Sequence, residues 1–413
     1  MGGVIRRLLA SAAVLTVLTA VPVSAAGEPT QRTWHGNQIH MYGAQAAGHS
    51  GAGVTVAVLD GWIDRSHPDF EGRVLPGADC RSGSCHAGMV TENCGAQHGT
   101  HVAGTVGASN VGVAPKVRIL PVQVLSSNSK GECTGTPAGV AAGIRYAVAH
   151  GAKVLNLSLG PDNPGGTNAA IPTAVHEAAQ AGAVVVFSAG NADLPVSQSY
   201  GSDALIVAAT GPSGQLASYS QYGAGVNLAA PGGQPDSKNN CEIATCVLSL
   251  YPGNQLAVAA GTSMAAPHVS GLAALLFAQA PGRSRSTVIA RIESTAHPLS
   301  GAGSGLIDVQ QALGVRGSTS TPKATPSPTR EPTQKPTVKP TTKPSGTMAP
   351  ATPSVTTTPA ITATPTPAPT PSEPSTVASV PRKKDDGIPI PLAAGAGFLV
   401  LVAGATVAAL SRR

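Results

Sequence analysis

The segment GTSMAAPHVSG, residues 261–271, sets Ser263 behind a glycine and a threonine at the head of an apolar run that contains Pro267. A serine in that place either caps a helix or attacks something. As a nucleophile it is weak at neutral pH and depends on a neighbour to take its proton. Four other stretches carry polar or small groups where chemistry is feasible. GVTVAVLD ends on Asp60, QHGTHVAGTVG holds His98, KVLNLSLG closes with Ser158, Leu159 and Gly160, and AVVVFSAGN closes with Ala189, Gly190 and Asn191. Taken singly, each has an ordinary explanation. Asp60 and Asn191 suit turns, His98 a polar helix start, and Ser263 a cap.

The pattern between these groups decides whether they meet. GVTVAVLD (53–60), VRILPVQVL (117–125), KVLNLSLG (153–160), AVVVFSAGN (183–191) and ALIVAAT (204–210) are short β-branched runs bounded by small or polar residues. Between them, TPAGVAAGIRYAVAHG and TNAAIPTAVHEAAQAG carry helix formers and end in glycine. Strand alternating with helix predicts an α/β fold: a doubly wound, mainly parallel sheet flanked by helices on both faces. In such sheets chemistry gathers outside the carboxyl ends of the strands. Asp60, Ser158 and Asn191 all fall there, and His98 sits at a loop-to-helix junction.

VAVLDGWIDRSHPDF around Asp60, HGTHVAGT around His98, SAGN around Asn191 and GTSMAAPHVSG around Ser263 resemble the four signature blocks of the subtilisin-like serine proteases, peptidase family S8. They occur in that family's order, aspartate, histidine, serine, over roughly residues 50–312. Chance accounts for one block but not for four in order. The resemblance implies a serine endopeptidase with Ser263 as nucleophile, His98 as general base and Asp60 orienting the imidazole. It implies that Asn191, with the backbone N–H of Ser263, stabilises the tetrahedral oxyanion. It also implies that Ser158, Leu159, Gly160, Ala189 and Gly190 line the substrate cleft, where an extended peptide adds a strand. Pro267 is expected to be tolerated because it falls in the first helical turn.

Several departures from the family are visible. Gly61-Trp62 follows the aspartate where relatives usually carry a small hydroxyl residue and glycine, so one hydrogen bond to Asp60 is expected to be missing. Segment 107–115 is shorter than the calcium-binding loop of many relatives, and Asp69 alone does not make a calcium cage. No metal and no cofactor are expected. Cys80, Cys85, Cys94, Cys133, Cys241 and Cys246 read as three disulfides in an exported chain. The count leaves their pairing open; spacing suggests Cys80 with Cys85 and Cys241 with Cys246, leaving Cys94 with Cys133. A zinc cluster of Cys80, Cys85, His86, Cys94 and His98 fits no common zinc spacing.

The ends of the chain read differently. Arg6 and Arg7, an apolar stretch and Val23-Ser24-Ala25-Ala26 mark residues 1–25 as a signal peptide, with an extension at 26–50 before the peptidase domain at 51–315. Residues 316–387 are dominated by Pro, Thr and Ser and predict a disordered stalk. Residues 388–410 hold no charge and are long enough for a transmembrane helix, with Arg412 and Arg413 left as a cytoplasmic tail at 411–413. These features predict a single-pass protein of the cell membrane with its catalytic domain outside. The net charge of +6 does not indicate nucleic acid, because residues 27–315 hold 13 Lys and Arg against 16 Asp and Glu, while 316–413 hold 11 against 4. The extension TWHGNQIHMYGAQAAGHSGAG and this layout resemble the mycosins, membrane-tethered subtilases of type VII secretion. That resemblance implies protein or peptide substrates and the type VII machinery as partner. The competing reading is a scaffold in a membrane secretion complex, with proteolysis secondary.

Overall fold

The computed structural model describes residues 32–91, 96–127, 133–160, 169–196 and 200–315, together with two short strands at 19–21 and 398–399. In chain order the elements are β1 (Thr19–Val21), α1 (Trp34–Gln38), α2 (Met41–Ala46), β2 (Thr55–Asp60), a 3-10 turn (Pro68–Phe70), β3 (Ala78–Asp79), β4 (His86–Ala87) and α3 (Ala96–Gly107). There follow β5 (Arg118–Gln123), β6 (Leu125–Ser127), β7 (Cys133–Gly135), α4 (Pro137–Ala149), β8 (Val154–Leu157), α5 (Ala170–Gln180), β9 (Val184–Ser188) and β10 (Ala204–Thr210). The chain continues through β11 (Leu228–Pro231), β12 (Val247–Tyr251), β13 (Gln255–Ala259), α6 (Thr262–Gln279), α7 (Arg285–Ser294), α8 (Val309–Ala312) and β14 (Phe398–Leu399).

Strand residues alternate between two apolar layers, as a sheet covered on both faces requires. Val56 and Val58 of β2 enter one cluster with α3 and α6, while Ala57 and Leu59 enter the other with α4 and α5. β9 does the same with Val184 and Val186 against Val185 and Phe187. The resulting sheet has strand order β11-β10-β9-β8-β2-β5-β3-β4 and is parallel throughout except for β3 with β4. This is the expected α/β architecture. Strands from β8 onward lie on one side of β2 and the earlier ones on the other, so the order reverses between β2 and β8. A crevice opens at such a switch point, beyond the carboxyl ends of the two strands. β12 and β13 form an antiparallel hairpin outside the main sheet, which the period of the sequence did not announce.

α6 is buried along its length from Thr262 to Phe277. It therefore shows no polar stripe, and it packs behind the switch point against β8, β9 and β10. The extension at 26–50 is folded where it is described. Trp34 Nε1 donates to Cys246 O (2.9 Å), Gln38 donates to Gly211 O (2.9 Å) and accepts from Thr210 Oγ1 (2.7 Å).

Cys80–Cys85 and Cys241–Cys246 are disulfides. Cys133 is also disulfide-bonded, but Cys94 and hence its pairing lie outside the described residues. With Cys80 and Cys85 bonded to each other, the zinc alternative has lost those two thiolates. The stalk at 316–387 lies outside the described residues, as do all of the expected signal peptide and transmembrane segment but their short strands. β1 pairs with β13, and Phe398–Leu399 pairs with β7, so at those last two residues the backbone is extended where helix is expected. The pairing satisfies an otherwise open strand edge. Among the described residues, no helix is long and apolar enough to cross a membrane.

Candidate active site

β2 delivers Asp60 to its last position, fully buried. Continuing the parallel register two steps past Val58 and Asn156 brings Asp60 alongside Ser158, just beyond the end of β8. α3 packs against β2 and presents His98 in its first turn, 1% exposed. His98 Nδ1 lies 3.0 and 2.9 Å from Asp60 Oδ1 and Oδ2. Burial works against charge on the imidazole, but the Asp60 carboxylate overcomes it and raises His98 above its ordinary pKa. The hydrogen bond expected to be missing from Asp60 has a backbone replacement, Gly61 N donating to Oδ1 at 2.7 Å. Gly99 keeps this space open, since a Cβ there would stand 2.9 Å from Trp62 O and 3.2 Å from Asp60 Oδ1.

Ser263 is the second residue of α6, not its cap; Gly261 occupies the N-cap without a side-chain bond. The Ser263 hydroxyl donates to Ser158 O at 3.2 Å, and among the described residues no hydrogen bond joins it to His98. Resting sites often show the nucleophile disengaged until substrate arrives. Pro267 is the sixth residue of the helix, so it lies past the first turn, contrary to expectation. Its missing N–H leaves Ser263 O without the usual helical donor. Ser158 Oγ fills that role at 2.7 Å, and is itself held by Asn156 Nδ2 at 3.0 Å, with Ser270 Oγ on Asn156 Oδ1 at 2.8 Å. Sequence reading missed Asn156 and Ser270; the signal was a lone amide inside an otherwise apolar strand. Ser158→Ala is expected to destabilise the fold by about 1–3 kcal/mol, by leaving the Ser263 carbonyl unpaired. Chemical denaturation of the variant checks this.

Asn191 sits past the end of β9, with Oδ1 accepting from Thr262 N (2.9 Å) and Thr262 Oγ1 (2.8 Å). Both donors hold the amide oxygen, so Nδ2 faces the other way. Gly190 N in turn donates to Thr262 Oγ1 at 3.1 Å, at a φ of +106° that favours glycine. Ala189 is buried beside it. Leu159 is 2% exposed and its side chain belongs to the core, leaving only its backbone for a ligand, while Gly160 is half-buried. The arrangement brings an alcohol, a buried imidazole–carboxylate pair and a fixed amide to one end of the sheet, which is equipment for acyl transfer.

The region around Asp69 does not fit a calcium ion. Asp69 Oδ1 accepts from Asn110 Nδ2 (2.9 Å), and the Arg73 guanidinium already donates to Asp69 O (3.1 Å), Ser109 Oγ (2.8 Å), Gly107 O (2.7 Å) and Val117 O (3.1 Å). A fixed cation thus holds the oxygens that a metal would need.

The profile of the Subtilase family matches residues 51–331. Thermitase of Thermoactinomyces vulgaris is 40% identical over 263 residues, 61% of this chain and 84% of thermitase. Subtilisin DY of Bacillus licheniformis is 38% identical over 283 residues, 65% of this chain and 93% of the relative. Among solved structures, a protease from Pseudoalteromonas arctica superposes with a TM-score of 0.58 at 29% identity, covering 68% of this chain and 96% of that one. A cold-adapted subtilisin-like serine proteinase does so with a TM-score of 0.52 at 32% identity, covering 63% and 88%.

Proposed function

Because this chain belongs to the subtilase family and is a serine endopeptidase acting on proteins or peptides, we propose that Asp60, His98 and Ser263 carry its reaction and that it works at the outer face of a cell membrane. The observation that carries the first part is the buried pair of 2.9–3.0 Å contacts between His98 Nδ1 and Asp60, set beside a helix start that bears Ser263.

In this reading, substrate binding draws the Ser263 hydroxyl away from Ser158 O and towards His98. As Ser263 Oγ bonds to the scissile carbonyl carbon, its proton passes to His98 Nε2, and Asp60 stabilises the imidazolium. The oxyanion takes hydrogen bonds from Asn191 Nδ2 and the Ser263 N–H, at the positive end of α6. Collapse expels the amine, which takes the proton from His98. Water activated by the same imidazole then releases the acyl group and restores Ser263. Ser158 to Gly160 on one side and Ala189 to Gly190 on the other supply the backbone edges that an extended peptide pairs with.

Asn191→Ala is expected to lower kcat by about 10²–10³-fold with little change in KM, because the lost donor acts on charge that develops only in the transition state. Steady-state kinetics on a peptide substrate checks this. The assignment of the nucleophile is tested with a fluorophosphonate probe on wild type and Ser263→Ala. Equal labelling of the two overturns it.

Membrane tethering rests on the uncharged stretch 388–410, the arginines after it and the signal-like residues 1–25. The mycosin-like layout favours a place beside type VII secretion machinery over a free-standing surface protease. Fractionation tests the anchor: truncation before residue 388 should release the protease into the medium, and retention of the truncated form in membranes overturns it. If Ser263→Ala sustains secretion as well as wild type, the scaffold role is the correct one.

A further inference from the structure

Among the described residues, one grouping of three potential metal-binding side chains stands outside the catalytic crevice: His40, His297 and Asp308, whose ligand atoms all lie within 4.8 Å of one another. Asp308 is 5% exposed and uses Oδ1 to cap α8, accepting from Gln311 N at 2.8 Å. Its Oδ2 is turned outward and meets His40 Nδ1 and His297 Nε2, each at 2.9 Å. Both imidazoles are about half exposed, with side-chain exposures of 52% and 53%, so the cluster is open to solvent on one side.

We propose that His40, His297 and Asp308 form a binding site for zinc or a similar borderline divalent cation, which staples the N-terminal extension to the end of the protease domain. The donor set decides the ion: two imidazole nitrogens and one carboxylate suit zinc, whereas calcium and magnesium want oxygens. Metal–ligand bonds of about 2.0–2.2 Å in a tetrahedral arrangement require donor separations of roughly 3.3–3.5 Å, so each imidazole withdraws from Oδ2 by about half an ångström and the two ring nitrogens, within 4.8 Å of each other, settle at the same separation. On binding, the ring protons move to His40 Nε2 and His297 Nδ1, which have no hydrogen bond among the described residues. Solvent completes the coordination.

The position gives the site a consequence. His40 joins α1 to α2 in the extension, at a left-handed φ of 55°, and the neighbouring Ile39 O accepts from Val309 N at 2.9 Å. His297 and Asp308 belong to the last stretch before the chain leaves the domain. A bound cation therefore links residue 40 to residues 297 and 308 and slows detachment of the extension.

The test is calorimetric titration of the full-length protein with zinc chloride and, separately, calcium chloride, alongside hydrogen exchange of residues 34–46. His40→Ala removes one ligand. His297→Gln removes another but keeps an N–H donor for Asp308, so a purely structural role is preserved. Asp308 is left intact because it caps α8. The expected result is one zinc per chain, slower exchange in residues 34–46 on zinc addition, and affinity at least about 10-fold weaker in each variant. Absence of zinc binding in wild type overturns the proposal. So does equal zinc affinity in the variants, calcium binding as tight as zinc, or zinc binding that leaves exchange unchanged.

Discussion

His98→Ala is expected to lower kcat by on the order of 10⁶-fold, the scale seen when the serine or histidine of subtilisin is removed, while leaving the fold intact. The reason is mutual dependence. Without the imidazole, Ser263 has no base and keeps its hydrogen bond to Ser158 O, so removing either residue removes the same function. Ser263→Ala should fall equally far, and the double variant should fall no further. A second readout follows from the Asp60 carboxylate, which raises the His98 pKa against the effect of burial. The base works only when neutral, so wild-type kcat/KM should climb with pH through a midpoint above 6.5, the ordinary histidine value. Single variants that retain more than a thousandth of wild-type kcat, or a profile flat between pH 6 and 8, would remove His98 from the role assigned to it.

Acid should destabilise the domain before its carboxylates titrate. His35 of α1, His101 of α3 and His268 of α6 form a buried group. His35 Nδ1 contacts His268 Nε2 at 3.0 Å, His268 Nδ1 reaches Met264 O at 2.8 Å, and His101 Nε2 reaches Val247 O at 3.0 Å. Burial lowers all three, His101 to about 3, His268 to about 4 and His35 well below its usual value. Each is neutral in the fold and cationic in the unfolded chain below about pH 6.5, so the unfolded state binds the extra protons and stability falls with pH. The loss runs from about pH 6.5 down to about 4 for His268 and about 3 for His101, at about 1.4 kcal/mol for each pH unit. By pH 5 these two each contribute a loss of about 2 kcal/mol and His35 adds to it in the same direction, so together they exceed what a single surface ion pair could restore. His98 opposes them, since its raised pKa favours the fold as pH drops, but it is one group against three. Thermal unfolding followed by circular dichroism should show Tm lower by on the order of 10 °C at pH 5 than at pH 7.5. A constant Tm across that interval would mean the three rings are not held neutral.

The five strand runs were legible because β-branched residues sit between small punctuating ones, and β2, β5, β8, β9 and β10 form within those runs. The ends of two of them were not. KVLNLSLG and AVVVFSAGN place Ser158 and Asn191 beyond the strands without marking where pairing stops; β8 stops at Leu157 and β9 at Ser188, so residues 158–160 and 189–191 lie past the sheet. Pairing decides where a strand stops, and pairing is set by the neighbour. β11 and the β12–β13 hairpin escaped notice for the same reason: their pairing is set by the neighbours the fold supplies. The family resemblance implied Leu159 as a cleft residue, and its side chain faces the core.

Residue chemistry and local spacing were enough to name the reacting groups, because an aspartate, a histidine, an amide and a serine each arrive with their own glycine-rich surroundings. Folding alone could decide how those groups are held. Gly61 N replaces the absent hydroxyl on Asp60, and Ser158 Oγ serves the carbonyl that Pro267 strands. Likewise Thr262 turns the Asn191 amide, and Asp308 gathers histidines from both ends of the domain. Each of these bonds joins positions set far apart in the chain or depends on the path of the backbone, and neither residue type nor periodicity encodes which donors a completed sheet will bring within 3 Å of an unpaired acceptor.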